Sequence, residues 1–156
     1  MKYHENTFNR SIFTQILSGE VVGVILLTTE RFFVILTNKP ARPGHTLIIP
    51  RRCGVQYSQF SREELSEFGL VKQLVIRALE EAYKIDDTLK IGEHVSGFEI
   101  RNHYHMHLIP AEKGEQVSLQ GTREVSLDER MSEGSKIIPI LKRISGEYPE
   151  LQCSFK

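Results

Sequence analysis

The chain has no tryptophan, only two cysteines and no long apolar run. Each shortage closes off a class of protein. Cys53 and Cys153 cannot build the disulfide framework of a small secreted domain. No stretch approaches the roughly 18 consecutive apolar residues that a membrane helix needs. The opening MKYHENTFNR is polar and lacks the apolar stretch of a secretory signal. A reducing, cytoplasmic setting with both thiols free is therefore expected. Charge of one sign is missing too, because 20 Lys plus Arg balance 20 Asp plus Glu. That balance argues against a protein that coats a nucleic-acid polymer or lies on an anionic membrane. A small phosphate-bearing ligand needs only a local patch and stays open.

What is present is ordinary globular material. The 156 residues, 40% hydrophobic and 26% charged, suit a single domain spanning the whole chain. Asn9 to Leu17 sets Ile12, Phe13, Ile16 and Leu17 at helical spacing, and Gly19 can close that helix. Val21–Leu27 and Arg31–Leu36 are β-branched runs joined by Thr28, Thr29 and Glu30, which is a hairpin pattern. NKPARPG is a loop, and His45–Ile49 resumes as a strand that Pro50 ends. Ser61 with Glu64 forms a capping box ahead of a long helix reaching Tyr83, whose apolar face is broad. Thr88–Ile91 and Glu99–Pro110 read as further strands. After Pro110 the composition turns polar and glycine-marked, with a short last helix expected around Ile137–Ile144, begun or interrupted at Pro139. Strands around one long helix, without alternating βα units, indicate an α+β fold with a mainly antiparallel sheet.

The chemistry concentrates in HYHMHLIP. Three of the chain's six histidines, His103, His105 and His107, occupy alternate positions. On a strand they share one face at a spacing of roughly 7 Å, while Tyr104, Met106 and Leu108 share the other and can pack on a core. Three readings compete at this point. The row can be accidental. It can hold a metal, with His45 or His94 as a further ligand, because His-x-His on a strand suits zinc. Or one imidazole can act as a nucleophile towards phosphorus while its neighbours orient it and handle protons.

HYHMHLI resembles the His-φ-His-φ-His-φ-φ signature of the histidine-triad (HIT) family of nucleotide hydrolases and transferases. NKPARPGHTLIIPRR resembles that family's loop and strand bearing a fourth histidine, and SIFTQILSGEV its opening helix. The three blocks keep the family's order, and the resemblance covers roughly residues 9–112, leaving 113–156 as a C-terminal appendage to the same HIT-like domain. It implies His105 as the nucleophile that attacks the α-phosphorus of a nucleotide conjugate and carries a nucleotidyl-histidine intermediate. His103 would hold the nucleophile's tautomer, His107 would contact phosphate oxygens and His45 would help bind or protonate. The nucleotide would lie against Ile12, Phe13, Ile16, Ile35, Thr37, Asn38 and Glu99, with plain core packing as the competing role of the apolar members. A nucleoside phosphoramidate or a dinucleoside polyphosphate is the implied substrate, with no cofactor and no metal. A homodimer with its long helices in contact is implied as well, and the broad apolar face of the long helix fits it.

Three departures bear on substrate. Where many relatives carry a Cys-φ-φ-Cys able to hold zinc, this chain has Ser11 and Thr14. The family's ribose-binding aspartate falls at Thr37. Its glycine and polar pair ahead of the triad fall at Phe98, Glu99 and Ile100, and an anionic Glu99 facing a phosphate would repel it. A nucleotide-binding protein of weak turnover on the same fold is therefore the alternative to the enzyme, with a His-ligated metalloprotein behind both. The tail after Pro110 is expected to tune substrate preference or dimer stability and not the chemical step.

Overall fold

The computed structural model describes residues 11–85, 90–94, 103–118, 121 and 123–155. Helix α1, Ile12–Ser18, starts where the Ser11 hydroxyl accepts the Thr14 N–H at 3.1 Å. It stops at Gly19, whose φ of 85° is a conformation few side chains tolerate. Strands β1 (Val24–Thr28) and β2 (Phe32–Leu36) pair antiparallel around a turn held by Thr29, whose backbone and hydroxyl both bond Phe32. The first strand begins later than Val21. A Cβ on Gly23 would lie 2.7 Å from the Ile16 side chain, so Val21 to Gly23 serve as the close return from α1. Strand β3, Thr46–Pro50, includes the proline, and its pairing with β2 extends to Phe32 opposite Pro50.

Helix α2 runs Arg62–Tyr83, and the Ser61–Glu64 capping box forms at its start. Its buried stripe is Phe68, Val71, Leu74, Val75, Ala78 and Leu79. Strands β4 (Lys90–His94) and β5 (His105–Ile109) complete a five-stranded antiparallel sheet in the order β1-β2-β3-β5-β4. Both α+β character and antiparallel pairing are as expected. His94, considered above as a further metal ligand, ends β4 opposite His105.

The sheet alternation sorts side chains into two clusters. Phe32, Val34, Leu36, Ile48, Tyr104, Met106 and Leu108 pack under α2. Phe33, Ile35, Leu47 and Ile49 pack on the opposite face against Phe13 of α1.

The C-terminal region corrects the sequence reading. Helix α3 spans Leu127–Ser145, beginning well before Ile137, with Pro139 inside it. Ser126 caps the helix by accepting the Glu129 N–H, and Asp128 and Glu129 complement the dipole of its first turn. Pro139 lies on the exposed side, while Gly134, Ile137, Leu141 and Ile144 hold the buried side. One lost helical hydrogen bond is thus offset by cap and core. Ile137, Leu141, Ile144, Tyr148 and Leu151 belong to the same apolar cluster as α2, and Ser154 bridges Thr28 at the sheet's edge. Helix α3 packs on α2 and β1, so the breadth of α2's apolar face is used within the chain. It therefore gives no support to a contact between copies. Among the described residues no helix is long and apolar enough to cross a membrane.

Candidate active site

Strand β5 points His105 and His107 to the face opposite α2, and His103 precedes them on the same face. All three are buried, at 0%, 6% and 7% exposure for His103, His105 and His107, so what each nitrogen touches decides its protonation.

His103 is held from both sides. Its Nε2 lies 2.7 Å from the Pro50 carbonyl, which can only accept, so Nε2 carries the proton. Its Nδ1 lies 2.5 Å from the Ser11 hydroxyl. Burial pushes its pKa down, and the Pro50 bond offsets that only in part. His105 places Nδ1 3.0 Å from the backbone carbonyl of His103. Its proton therefore sits on Nδ1, and Nε2 carries the in-plane lone pair. The His105 ring packs edge-on against Phe13, with centroids 5.0 Å apart.

His45 and His107 form a relay. The Ala41 N–H donates to His45 Nδ1 at 2.9 Å, so that nitrogen bears no proton. His45 Nε2 must then donate to His107 Nδ1, 2.8 Å away. His107 is left with its proton on Nε2, and both rings are neutral. Burial lowers the His45 pKa to about 4, in agreement with that assignment.

A cavity of about 330 Å³ opens over His105 and His107. Ile12, Phe13, Ile16 and Ile35 line it, with Thr37 and Asn38 at the end of β2. The apolar members are thus pocket wall and core together: Phe13 and Ile35 are 3% exposed, Ile12 39%. His45 and His103 act from behind and do not line it. Glu99, with Phe98, Ile100, Arg101, Asn102 and His4, lies outside the described residues. Arg51 and Arg52 are committed elsewhere, to the Thr29 carbonyl and to Glu64 respectively.

The domain model of the HIT family matches residues 18–114. The chain belongs to the HIT family. An uncharacterized HIT-like protein of Methanocaldococcus jannaschii is 30% identical over 128 residues, 78% of this chain and 96% of its own length. A bis(5'-adenosyl)-triphosphatase of Dictyostelium discoideum is 31% identical over 90 residues, 57% of this chain and 60% of its own. A HIT-like protein of Bartonella henselae superposes with a TM-score of 0.75 at 20% identity, covering 85% of this chain and 96% of that one. At that identity the likeness speaks for the fold alone. A zinc-bound histidine triad family protein of Mycobacterium smegmatis gives a TM-score of 0.70 at 25% identity, covering 87% and 96%.

Zinc bound to a relative makes the donor set at the start of α1 worth testing. Ser11 and Thr14 hydrogen-bond each other at 3.2 Å, and Ser11 also holds His103, whose second nitrogen is taken by Pro50. These hydroxyls lack the thiolate character zinc favours, and the site does not fit the metal. Among the described residues no group of three or more His, Cys, Asp or Glu converges on a metal position.

The residues that sequence reading missed come from beyond the triad. Gly121, Glu124 and Arg130 line the cavity of this HIT site opposite the strands. The Gly121 N–H bonds Lys39 O at 3.0 Å and the Val125 N–H bonds Asn38 O at 2.8 Å, strapping the segment to the loop after β2. A Cβ on Gly121 would fall 2.1 Å from the Pro40 carbonyl oxygen, so only glycine permits this approach. That glycine, in a polar stretch, was the one visible signal.

Proposed function

We propose that this HIT protein is a nucleotidyl hydrolase or transferase that attacks the α-phosphate of a nucleotide conjugate through His105. The observation that carries the reading is the His105 Nδ1 contact to the His103 carbonyl at 3.0 Å, which reserves Nε2 for attack. Nε2 forms a bond to phosphorus as the bond to the leaving group breaks; a polyphosphate leaves as its anion, whereas an amine leaves with a proton taken from water. Water then cleaves the nucleotidyl-histidine and restores the imidazole. His107, holding its proton on Nε2, donates to a phosphate oxygen, and His45 fixes that tautomer. His103 orients the nucleophile through its backbone carbonyl, while its ring anchors the strand to Pro50 and Ser11. Positioning and charge stabilisation supply most of what such a displacement needs.

The apolar wall from α1 and β2 offers a base a surface, and Thr37, Asn38 and Glu124 offer a sugar hydrogen-bond partners. The likeness to a bis(5'-adenosyl)-triphosphatase supports a small-molecule nucleotide substrate, of the dinucleoside polyphosphate or phosphoramidate type. We also propose a cytoplasmic homodimer, supported by family membership and checked by sedimentation at micromolar concentration. Turnover of adenosine phosphoramidate and of diadenosine polyphosphates, with products separated by chromatography, tests the activity. Binding without turnover of either would replace the enzyme with a nucleotide-binding protein.

A further inference from the structure

The strand side of the cavity offers an incoming polyphosphate no formal positive charge. His45 and His107 are neutral by their hydrogen bonds, and His105 must be neutral to attack. Among the described residues, the formal cations lining the cavity are Lys39 and Arg130. Lys39 is exposed on its loop. Arg130 is part-buried in the first turn of α3 and lines the same cavity as His105 and His107.

The guanidinium of Arg130 is uncommitted. Among the described residues it makes no ion pair, and its Nε is buried without a hydrogen-bond partner. Its neighbours differ in being ion-paired: Arg123 pairs with Glu129 and Arg42 with Glu115, although Arg42 Nε is likewise buried without a hydrogen-bond partner. A buried donor left unsatisfied is costly, which is a reason to expect an acceptor there when the site is in use. Arg130 also lines a second cavity of about 430 Å³, which shares Leu36 and Thr37 with the first and includes Arg42, Arg123, Glu129 and Glu133. It therefore stands on the boundary between the reacting imidazoles and a further space large enough for more substrate.

We propose that Arg130 binds a phosphate of the substrate other than the one His105 attacks, so that the site selects polyphosphate-bridged nucleotides over nucleotides joined to an amine. This rests on the nucleotidyl-transfer reading above. An amine leaving group brings no anion for Arg130 to meet. A polyphosphate leaving group gains charge on its terminal phosphate as the bridging bond breaks, and a guanidinium fork matches two of its oxygens.

Calorimetric titration of wild type, Arg130→Gln and Arg130→Lys with adenosine monophosphate and with a methylene-bridged diadenosine triphosphate analogue tests the proposal. The analogue should bind wild type more tightly than the monophosphate. Arg130→Gln should weaken the analogue about tenfold or more, a charged hydrogen-bond pair being lost, and change the monophosphate less than twofold. Arg130→Lys should fall between, keeping charge and losing the fork, and it carries the same comparison if the Gln variant folds poorly. Equal weakening of both ligands, no weakening of the analogue, or no wild-type preference for it would overturn the assignment. Turnover separates this from the underlying reading. Wild type that binds through Arg130 without cleaving keeps the phosphate site and loses the hydrolase; wild type that cleaves regardless of Arg130 does the opposite.

Discussion

The cavity has two walls of different construction. One is the sheet face, where β2, β3 and β5 present Ile35, Leu47, His105 and His107 from a continuous antiparallel ladder. The other is the strap of Gly121, Glu124 and Arg130, hung on the 37–40 loop by two backbone hydrogen bonds and a 3.4 Å contact from Asn38 to Glu124. The ladder fixes His105 and His107 by register, and a slip of one residue would turn them to the other face. Gly121 and Glu124 of the strap lie outside the apolar core, and only Arg130 rides on a core helix, α3. Reaction demands placement within about 0.5 Å, which only the first wall supplies, whereas recognition tolerates the second. The sheet wall should therefore govern rate, and the strap should govern which substrate enters.

The largest expected effect breaks the sheet wall. His105→Ala should lower turnover by about a thousandfold or more, because a nucleophile is lost, while nucleotide affinity survives. Near-normal turnover in that variant would end the nucleophilic reading. Rapid quench of wild type in base should add one nucleoside-monophosphate mass to the peptide holding the triad. Next comes the strap. Gly121→Ala forces a Cβ to within 2.1 Å of the Pro40 carbonyl, and the backbone must move to admit it. KM should rise by about tenfold with kcat at saturation within about twofold, the signature of lost uniform binding. A fall in kcat alone, with KM unchanged, would mean that the strap positions the reacting atoms.

That division also marks what was legible in the sequence. Strict alternation in HYHMHLI announces a strand with one chemical face, and Ser61 with Glu64 announces α2 to the residue, because both signals are local. Ile12, Phe13, Ile16, Ile35, Thr37 and Asn38 were placed through family resemblance, and they do line the cavity. Helix α3 was half hidden because LDERMSEGSK is polar with a glycine, and its burial depends on Val24 meeting Gly134 across the fold. Arg130 was invisible for the same reason: nothing in its neighbours says that a loop some ninety residues earlier is hydrogen-bonded to its strap (about ninety, from Asn38 and Glu124 at 86 apart). Tyr148 and Leu151 are core, so deleting residues past 145 should cost fold stability first, and not merely shift substrate preference.

A smaller effect separates ring from backbone within the sheet wall. His103→Ala keeps the carbonyl that holds His105 but removes the ring donor to the Pro50 carbonyl and one of the Ser11 hydroxyl's partners, and opens a void. Stability should drop by about 2–3 kcal/mol in urea titration, while kcat falls by less than about tenfold. A loss of turnover matching His105→Ala would show that the ring itself, and not its carbonyl, orients the nucleophile.

The smallest effect is read in stability against pH. His45 titrates at about 4 in the folded protein, because burial disfavours its charged form, and near 6.5 when unfolded. The unfolded chain therefore binds the proton first. Stability from this group is full above pH 6.5 and is lost as pH falls towards 4, by at most about 1.4 kcal/mol per pH unit. His103, lowered by burial as well, adds in the same direction. Urea midpoints at pH 7 and pH 5 should fall further for wild type than for His45→Gln, which keeps a donor towards His107 but has no proton to gain. Equal falls would mean that His45 is not held neutral. A protonated His45 would still donate from Nε2 to His107, but its Nδ1 could no longer accept the Ala41 N–H, and the imidazolium would share the phosphate charge that is otherwise left to Arg130.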